Sequence, residues 1–159
     1  MKYLKRYEVN MLALLRQDAR QSLTDIGKKM NVPISTLFDR LKLHKELLIT
    51  KFTALLDYQR LGYHARASII LKIKKDDKCE IKEFLLGNPN VNSIFKINNG
   101  FDYMVDVIFR NIKDLEEFIS QLESNFKIRT LNVYYVIDEI IQEKFLTDDA
   151  IIEEIKEAI

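Results

Sequence analysis

Hydrophobic positions change their period once along the chain, near residue 50. From Leu4 to about Leu48 the spacing is helical, with Tyr7, Met11, Leu12 and Leu15 falling on one face. Ser22-Leu23-Thr24-Asp25 reads as a side-chain N-cap with an acid three residues on. The short helix it opens carries Leu23, Ile26 and Met30 on one stripe. Asn31-Val32-Pro33 closes it, because proline disfavours helix at the residue before it and asparagine tolerates a left-handed turn. A third helix is expected from about Ser35, with Leu37, Leu41 and Leu48 inward.

After Ile49 the period becomes two. Ala67, Ile69, Leu71 and Ile73 alternate with Ser68, Ile70, Lys72 and Lys74; Tyr103, Val105, Val107 and Phe109 alternate with Met104, Asp106 and Ile108. Leu131, Val133, Tyr135 and Ile137 alternate with Asn132, Tyr134, Val136 and Asp138, and each run is a strand signal. Between them lie a helix carrying Ile81, Phe84 and Leu85, a stop at Asn88-Pro89-Asn90, a strand over 91–97, and a helix opened by Asn111. The order strand, helix, strand, strand, helix, strand predicts a ferredoxin-like βαββαβ half: an antiparallel sheet with helices on one face. Ile70, Met104, Ile108, Tyr134 and Val136 share its other face, which predicts self-association. The tail from Glu139 reads as a strand over 140–145 and a helix over 148–158, either clasping a partner or simply packed. The fold class is therefore α+β: a winged-type helix-turn-helix over 1–50, a linker strand or hinge over 51–63, the ferredoxin-like domain over 64–143, and a helical extension over 144–159.

Charge changes this picture more than composition does. The 159 residues are 47% hydrophobic, enough for a packed core, and their formal net charge of +1 argues at first against a nucleic-acid partner. Residues 1–50 hold ten Lys/Arg against five Asp/Glu, a net of +5, and residues 51–159 hold fifteen against nineteen, a net of −4. Opposite fields on the two halves suit a half that faces nucleic acid and one that does not. Chance variation over a short window would produce the same split.

A short helix, a tight turn and a second helix can place that second helix in the major groove, with base contacts from its first turns and phosphate contacts from flanking cations. The candidate contacts are Ser35, Thr36, Asp39, Arg40 and Lys42, with Lys45 beyond, and Ser22 at the head of the supporting helix, where backbone N–H groups can hold a phosphate. A plain three-helix bundle with solvated cations fits the same pattern. Arg40 can alternatively pair with Asp39, Glu46 or an acid on the first helix.

The residues 7–20, Tyr-Glu-Val-Asn-Met-Leu-Ala-Leu-Leu-Arg-Gln-Asp-Ala-Arg, followed by Ser22-Leu23-Thr24-Asp25-Ile26-Gly27, resemble the opening of the Lrp/AsnC (leucine-responsive, feast/famine) transcription regulators. The resemblance continues through 32–41, Val-Pro-Ile-Ser-Thr-Leu-Phe-Asp-Arg-Leu, and through 49–57 with Leu61-Gly62-Tyr63, and covers about residues 4–143. Asn99-Gly100-Phe101-Asp102-Tyr103 stands where the family has a Gly-x-x-Asp turn. The resemblance implies a DNA-binding regulator that works as a homodimer or a higher oligomer, up to a tetramer or octamer, on double-stranded DNA. It also implies an effector, often an amino acid, with Asn99, Gly100 and Asp102 as candidates to bind it; for Asp102, merely capping its turn is the equal alternative. Two departures stand out. His44 occupies or adjoins a place that is usually apolar, and 45–49, Lys-Glu-Leu-Leu-Ile, lacks the usual glycine and is one residue short, so the end of the third helix should be irregular.

No catalytic motif is legible: there is no HExxH, phosphate loop, nucleophile elbow or CxxC, so neither a cofactor nor a metal is expected. Cys79 is single, no apolar run reaches the ~18 to 20 residues of a membrane span, and no export signal is visible, so a reducing cytoplasm is the expected compartment. Two other readings share the architecture. One is a tetrapyrrole enzyme resembling the sirohaem decarboxylases; the other is an oligomerisation module whose helix-turn-helix no longer binds DNA.

Overall fold

A computed structural model describes residues 4–74 and 77–159. In chain order its elements are α1 (Arg6–Gln17), α2 (Leu23–Met30), α3 (Ile34–Leu47), β1 (Ala65–Ile73), α4 (Lys78–Gly87), β2 (Val91–Lys96), β3 (Tyr103–Phe109), α5 (Ile112–Asn125), β4 (Ile128–Tyr135) and α6 (Asp149–Glu157). They form two compact units, one of residues 4–54 with 140–159 and one of residues 55–139.

Local chemistry sets the helical boundaries. Ser22 Oγ accepts from the Asp25 N–H at 3.1 Å and donates to the Asp25 carboxylate at 2.7 Å, closing the first turn of α2. Asn31 ends α2 in the left-handed region, at φ 53°. The turn also needs Gly27, where a Cβ would stand 2.9 Å from the Val32 carbonyl oxygen. Met11, Leu15, Ile26 and Leu37 are buried together, with Leu14, Leu23, Met30 and Leu41 around them.

Two expectations fail in this unit. Leu48 is not inward but 54% exposed, because α3 ends at Leu47 and His44 takes the buried position one turn earlier. With no glycine to turn left-handed, the N–H groups of both Leu48 and Ile49 donate to the His44 carbonyl, and the helix ends irregularly. The tail forms no strand over 140–145. Glu143 and Leu146 have φ of 56° and 66°, outside any extended conformation, and Arg16 donates to the carbonyls of Glu143 and Phe145. The tail instead ends in α6, capped by Asp148, whose Ile152 is buried against Val9 and Ala13 of α1.

The second unit is a four-stranded antiparallel sheet in the order β2-β3-β1-β4, the layout of a βαββαβ ferredoxin-like fold. Ile69 lies between Val105 and Val133, so the alternating apolar rows meet on one face. The helices cover that face through Ile81, Leu85, Leu115, Phe118 and Leu122, all buried. Asn111 caps α5, accepting from the Asp114 N–H at 3.0 Å. β4 stops at Tyr135, so Ile137, read as part of its alternation, is 94% exposed. No strand forms over 51–63 either: 51–57 is irregular and 58–62 is turn, since a strand there would need a neighbour to pair with.

The opposite sheet face is less apolar than its sequence suggests. Its centre is a polar network in which Arg66 donates to both carboxylate oxygens of Asp106 at 3.3 and 3.2 Å. Asn92 donates to the same carboxylate at 3.0 Å, and Arg66 also pairs with Glu139. Burial would lower the Arg66 pKa, but these carboxylates raise it overall. Around the network Tyr134, Phe95 and Val136 are exposed.

Candidate nucleic-acid interface and effector turn

At 100° per residue, Ser35, Asp39 and Lys42 fall on one outward stripe of α3, with Lys45 on its flank, and all four are exposed. Ser22 is exposed at the head of α2, and Thr36 is half-buried. One residue of this stripe escaped the sequence reading: Phe38, 59% exposed, lies between Ser35 and Lys42. Its spacing of three from Ser35 and four to Lys42 is the signal for it, masked because a phenylalanine in a helix reads as core.

Arg40 is elsewhere. Its Nε lies 3.1 Å from Oε1 of Glu8 on α1, so of the partners considered for it, the acid on the first helix is the one found. Glu8 is fully buried and central to a cluster. Its Oε2 accepts the Lys5 N–H at 2.8 Å, capping α1, and lies 3.4 Å from Nε2 of buried His44. Among the described residues neither His44 ring nitrogen makes a hydrogen bond, and the Arg40 contact is an ion pair without hydrogen-bond geometry. The polar cluster therefore joins α1 to the side of α3 that faces away from the exposed stripe.

The turn after β2 brings Asn99, Gly100 and Asp102 together. Asn99 and Gly100 are both left-handed, at φ 57° and 86°, so asparagine serves where a glycine is usual. Asp102 is committed on both oxygens: Oδ2 accepts the Ile73 N–H at 2.9 Å, and Oδ1 pairs with the Lys78 ammonium. Its own N–H donates to the Leu71 carbonyl at 2.8 Å. Burial pushes its carboxyl up, but the Ile73 N–H, Lys78 and then Lys72 outweigh that and hold it below the usual carboxylate range. Beside the turn lies a cleft of about 450 Å³ lined by Lys72, Lys74, Lys78, Gly100, Asp102 and Arg129.

A helix-turn-helix with an exposed polar second helix, carried in one chain with a ferredoxin-like sheet, is the two-domain layout expected of a transcription regulator that joins a reading unit to a ligand-binding one. Residues 66–146 match the Lrp/AsnC ligand binding domain. An uncharacterized HTH-type transcriptional regulator of Pyrococcus abyssi is 33% identical over 119 residues, 74% of each chain. An uncharacterized HTH-type transcriptional regulator of Pyrococcus furiosus is 29% identical over 136 residues, 85% of this chain and 91% of its own. Among solved structures, a transcriptional regulator from Neisseria meningitidis in complex with L-Met superposes with a TM-score of 0.81 at 19% identity, over 87% of this chain and 93% of that one. The chain belongs to the Lrp/AsnC family. Its relatives are transcription regulators, not enzymes, which sets aside the decarboxylase alternative. Among the described residues no helix is long and apolar enough to cross a membrane.

Proposed function

We propose that the chain is a sequence-specific regulator of transcription that binds double-stranded DNA through α2 and α3 and whose assembly or DNA affinity responds to a small effector. The observation that carries this reading is the exposed stripe of α3, held to α1 by a buried polar cluster and joined to a ferredoxin-like ligand-binding unit. Ser22, Ser35, Thr36, Asp39, Lys42 and Lys45 form the contact set, and Phe38 adds an apolar surface of the kind that meets a thymine methyl. Arg40 supports the interface by fixing α3.

Homodimers or higher homo-oligomers present two such helices to half-sites about one helical turn apart. The exposed apolar residues of the sheet unit, including Phe95, Tyr134 and Ile137, support assembly. The effector is an amino acid or a molecule of similar size, held at the turn of Asn99, Gly100 and Asp102 and shifting the balance between assemblies. The compartment consistent with a regulator of this kind is the cytoplasm.

The test is an electrophoretic mobility shift on the DNA upstream of the protein's own gene. Binding should fall steeply with salt and prefer that sequence over an unrelated one. Lys42→Ala should reduce the slope of log affinity against log salt by about one, the loss of one phosphate contact. Equal affinity for both DNAs at moderate ionic strength would overturn the proposal.

A further inference from the structure

Residues 55–139 hold twelve Lys/Arg and thirteen Asp/Glu, so this unit is close to neutral. The cations are not spread evenly. Two clefts, of about 450 and 430 Å³, share Lys78 and Asp102 as a common wall. Between them they are lined by Lys72, Lys74, Lys78, Lys82, Lys96 and Arg129, half of the unit's cations, with Asp102 as the one lining carboxylate among the described residues. Among the described residues only Lys78 of these six makes an ion pair, and its partner is Asp102. The Lys72 ammonium lies 3.7 Å from where a Cβ on Gly100 would be, directly over the turn. In that turn Phe101 donates to the Asn98 carbonyl, while the Asn99 and Gly100 N–H groups find no backbone acceptor among the described residues.

Like charges gathered around a concavity cost repulsion that a ligand of opposite charge relieves. A single α-carboxylate neutralises one cation and leaves the others facing each other. An α-amino group would add a seventh positive charge, and the carboxylate that would receive it is already bound on both oxygens. We infer that the clefts flanking Asp102 bind a small molecule carrying two or more acidic groups, held by Lys72, Arg129 and the lysines of α4. This rests on the effector reading above and names the ligand class for that site. Dicarboxylates, acidic amino acids and phosphorylated compounds share the chemistry. The cations surround recesses rather than forming a ridge, which favours a small anion over a nucleic-acid backbone.

Isothermal titration calorimetry of the full chain tests this, with L-glutamate, 2-oxoglutarate, citrate and inorganic pyrophosphate as probes and L-leucine and L-methionine as neutral comparisons. At least one polyanion should bind, more weakly at high salt, and at least about tenfold more tightly than either neutral amino acid. Lys72→Gln and Arg129→Gln should each weaken it about tenfold while the melting temperature stays within a degree or two of the parent. The most favoured probe then separates the carboxylate from the phosphate source.

Tighter binding of L-leucine or L-methionine would overturn the inference and leave the effector reading standing. Polyanion binding that leaves DNA affinity unchanged would support the site and overturn the effector reading. Binding indifferent to both substitutions, or substitutions that weaken only DNA binding, would overturn the inference.

Discussion

Replacing Glu8 by glutamine removes a charge while keeping the volume and an acceptor for the Lys5 N–H. Glu8 is fully buried, and the two groups left behind are Arg40, 3.1 Å away, and His44, 3.4 Å away. Breaking a wholly buried pair costs about 3–5 kcal/mol, and an exposed one about 0–1. Arg40 is 32% exposed, so water solvates one side of its guanidinium and the loss should fall between these limits, at about 2 kcal/mol. For a chain of this size unfolding as one, that lowers the melting temperature by about 4–8 °C. The helical unit melting by itself would shift further. The assay is thermal unfolding followed by circular dichroism, in a double-mutant cycle with Arg40→Gln. A coupling of about 1–2 kcal/mol should remain once the single effects are subtracted. Coupling within about 0.3 kcal/mol of zero, or an unshifted melting point in Glu8→Gln, would refute the claim that this ion pair fastens α3 to α1.

Other perturbations follow from single contacts. Gly27→Ala places a methyl 2.9 Å from the Val32 carbonyl and should cost about 1–3 kcal/mol in urea unfolding; a neutral result would mean that the turn has room to move. Ile152→Ala should cost about 2–3 kcal/mol by the same measurement, because its side chain is buried against Val9 and Ala13, and no loss would show α6 to be undocked in solution. Asp102 has a native pKa below the ordinary carboxylate value, so its contribution is complete above about pH 4 and disappears as the pH falls through the lowered native value. Asp102→Asn should therefore flatten the acid limb of stability against pH, and an unchanged acid limb would refute the assignment.

What the sequence disclosed depends on how far apart the interacting residues are. Ser22, Asn31 and Asn111 act on groups within a few positions of themselves, so their caps are readable from order alone. The sheet is readable because its apolar rows have period two and the helices between them do not. The cluster of Glu8, Arg40 and His44 is not, since a glutamate in the first turn of a helix reads as a favourable exposed charge, and only packing turns it inward. Arg66, Asp106 and Asn92 come from three strands and meet only once register is known. The tail misled because its apolar ends, Ile140-Ile141 and Phe145, imitate a short strand, whereas Arg16 holds the carbonyls of Glu143 and Phe145 and two residues turn left-handed. At the site, Phe38 was hidden by its residue type and Arg40 was misdirected by its own.

The charge asymmetry changes meaning when it is followed into the fold. Residues 51–139 carry thirteen charges of each sign, so the −4 of the second half lies wholly in 140–159, which folds with the helices. The helical unit then carries thirteen Lys/Arg against eleven Asp/Glu, a net of +2 rather than +5. Attraction for DNA would be weak if those charges were mixed, but α1 separates them. α6 packs on Val9 and Ala13, whereas α2 and α3 pack on Met11 and Leu15, on a face about 200° round the helix. The acidic tail thus lies behind α1 and the cations of α2 and α3 in front. Glu154 and Glu157 are exposed on that tail. Changing both to glutamine should raise DNA affinity modestly at low salt, through the long-range field, without altering the salt slope, because the slope counts phosphate contacts and the proposed contact set lies on α2 and α3, not on the tail. Mobility shifts at several salt concentrations read both quantities, and a changed slope would place the tail at the DNA and sink this account of the charge.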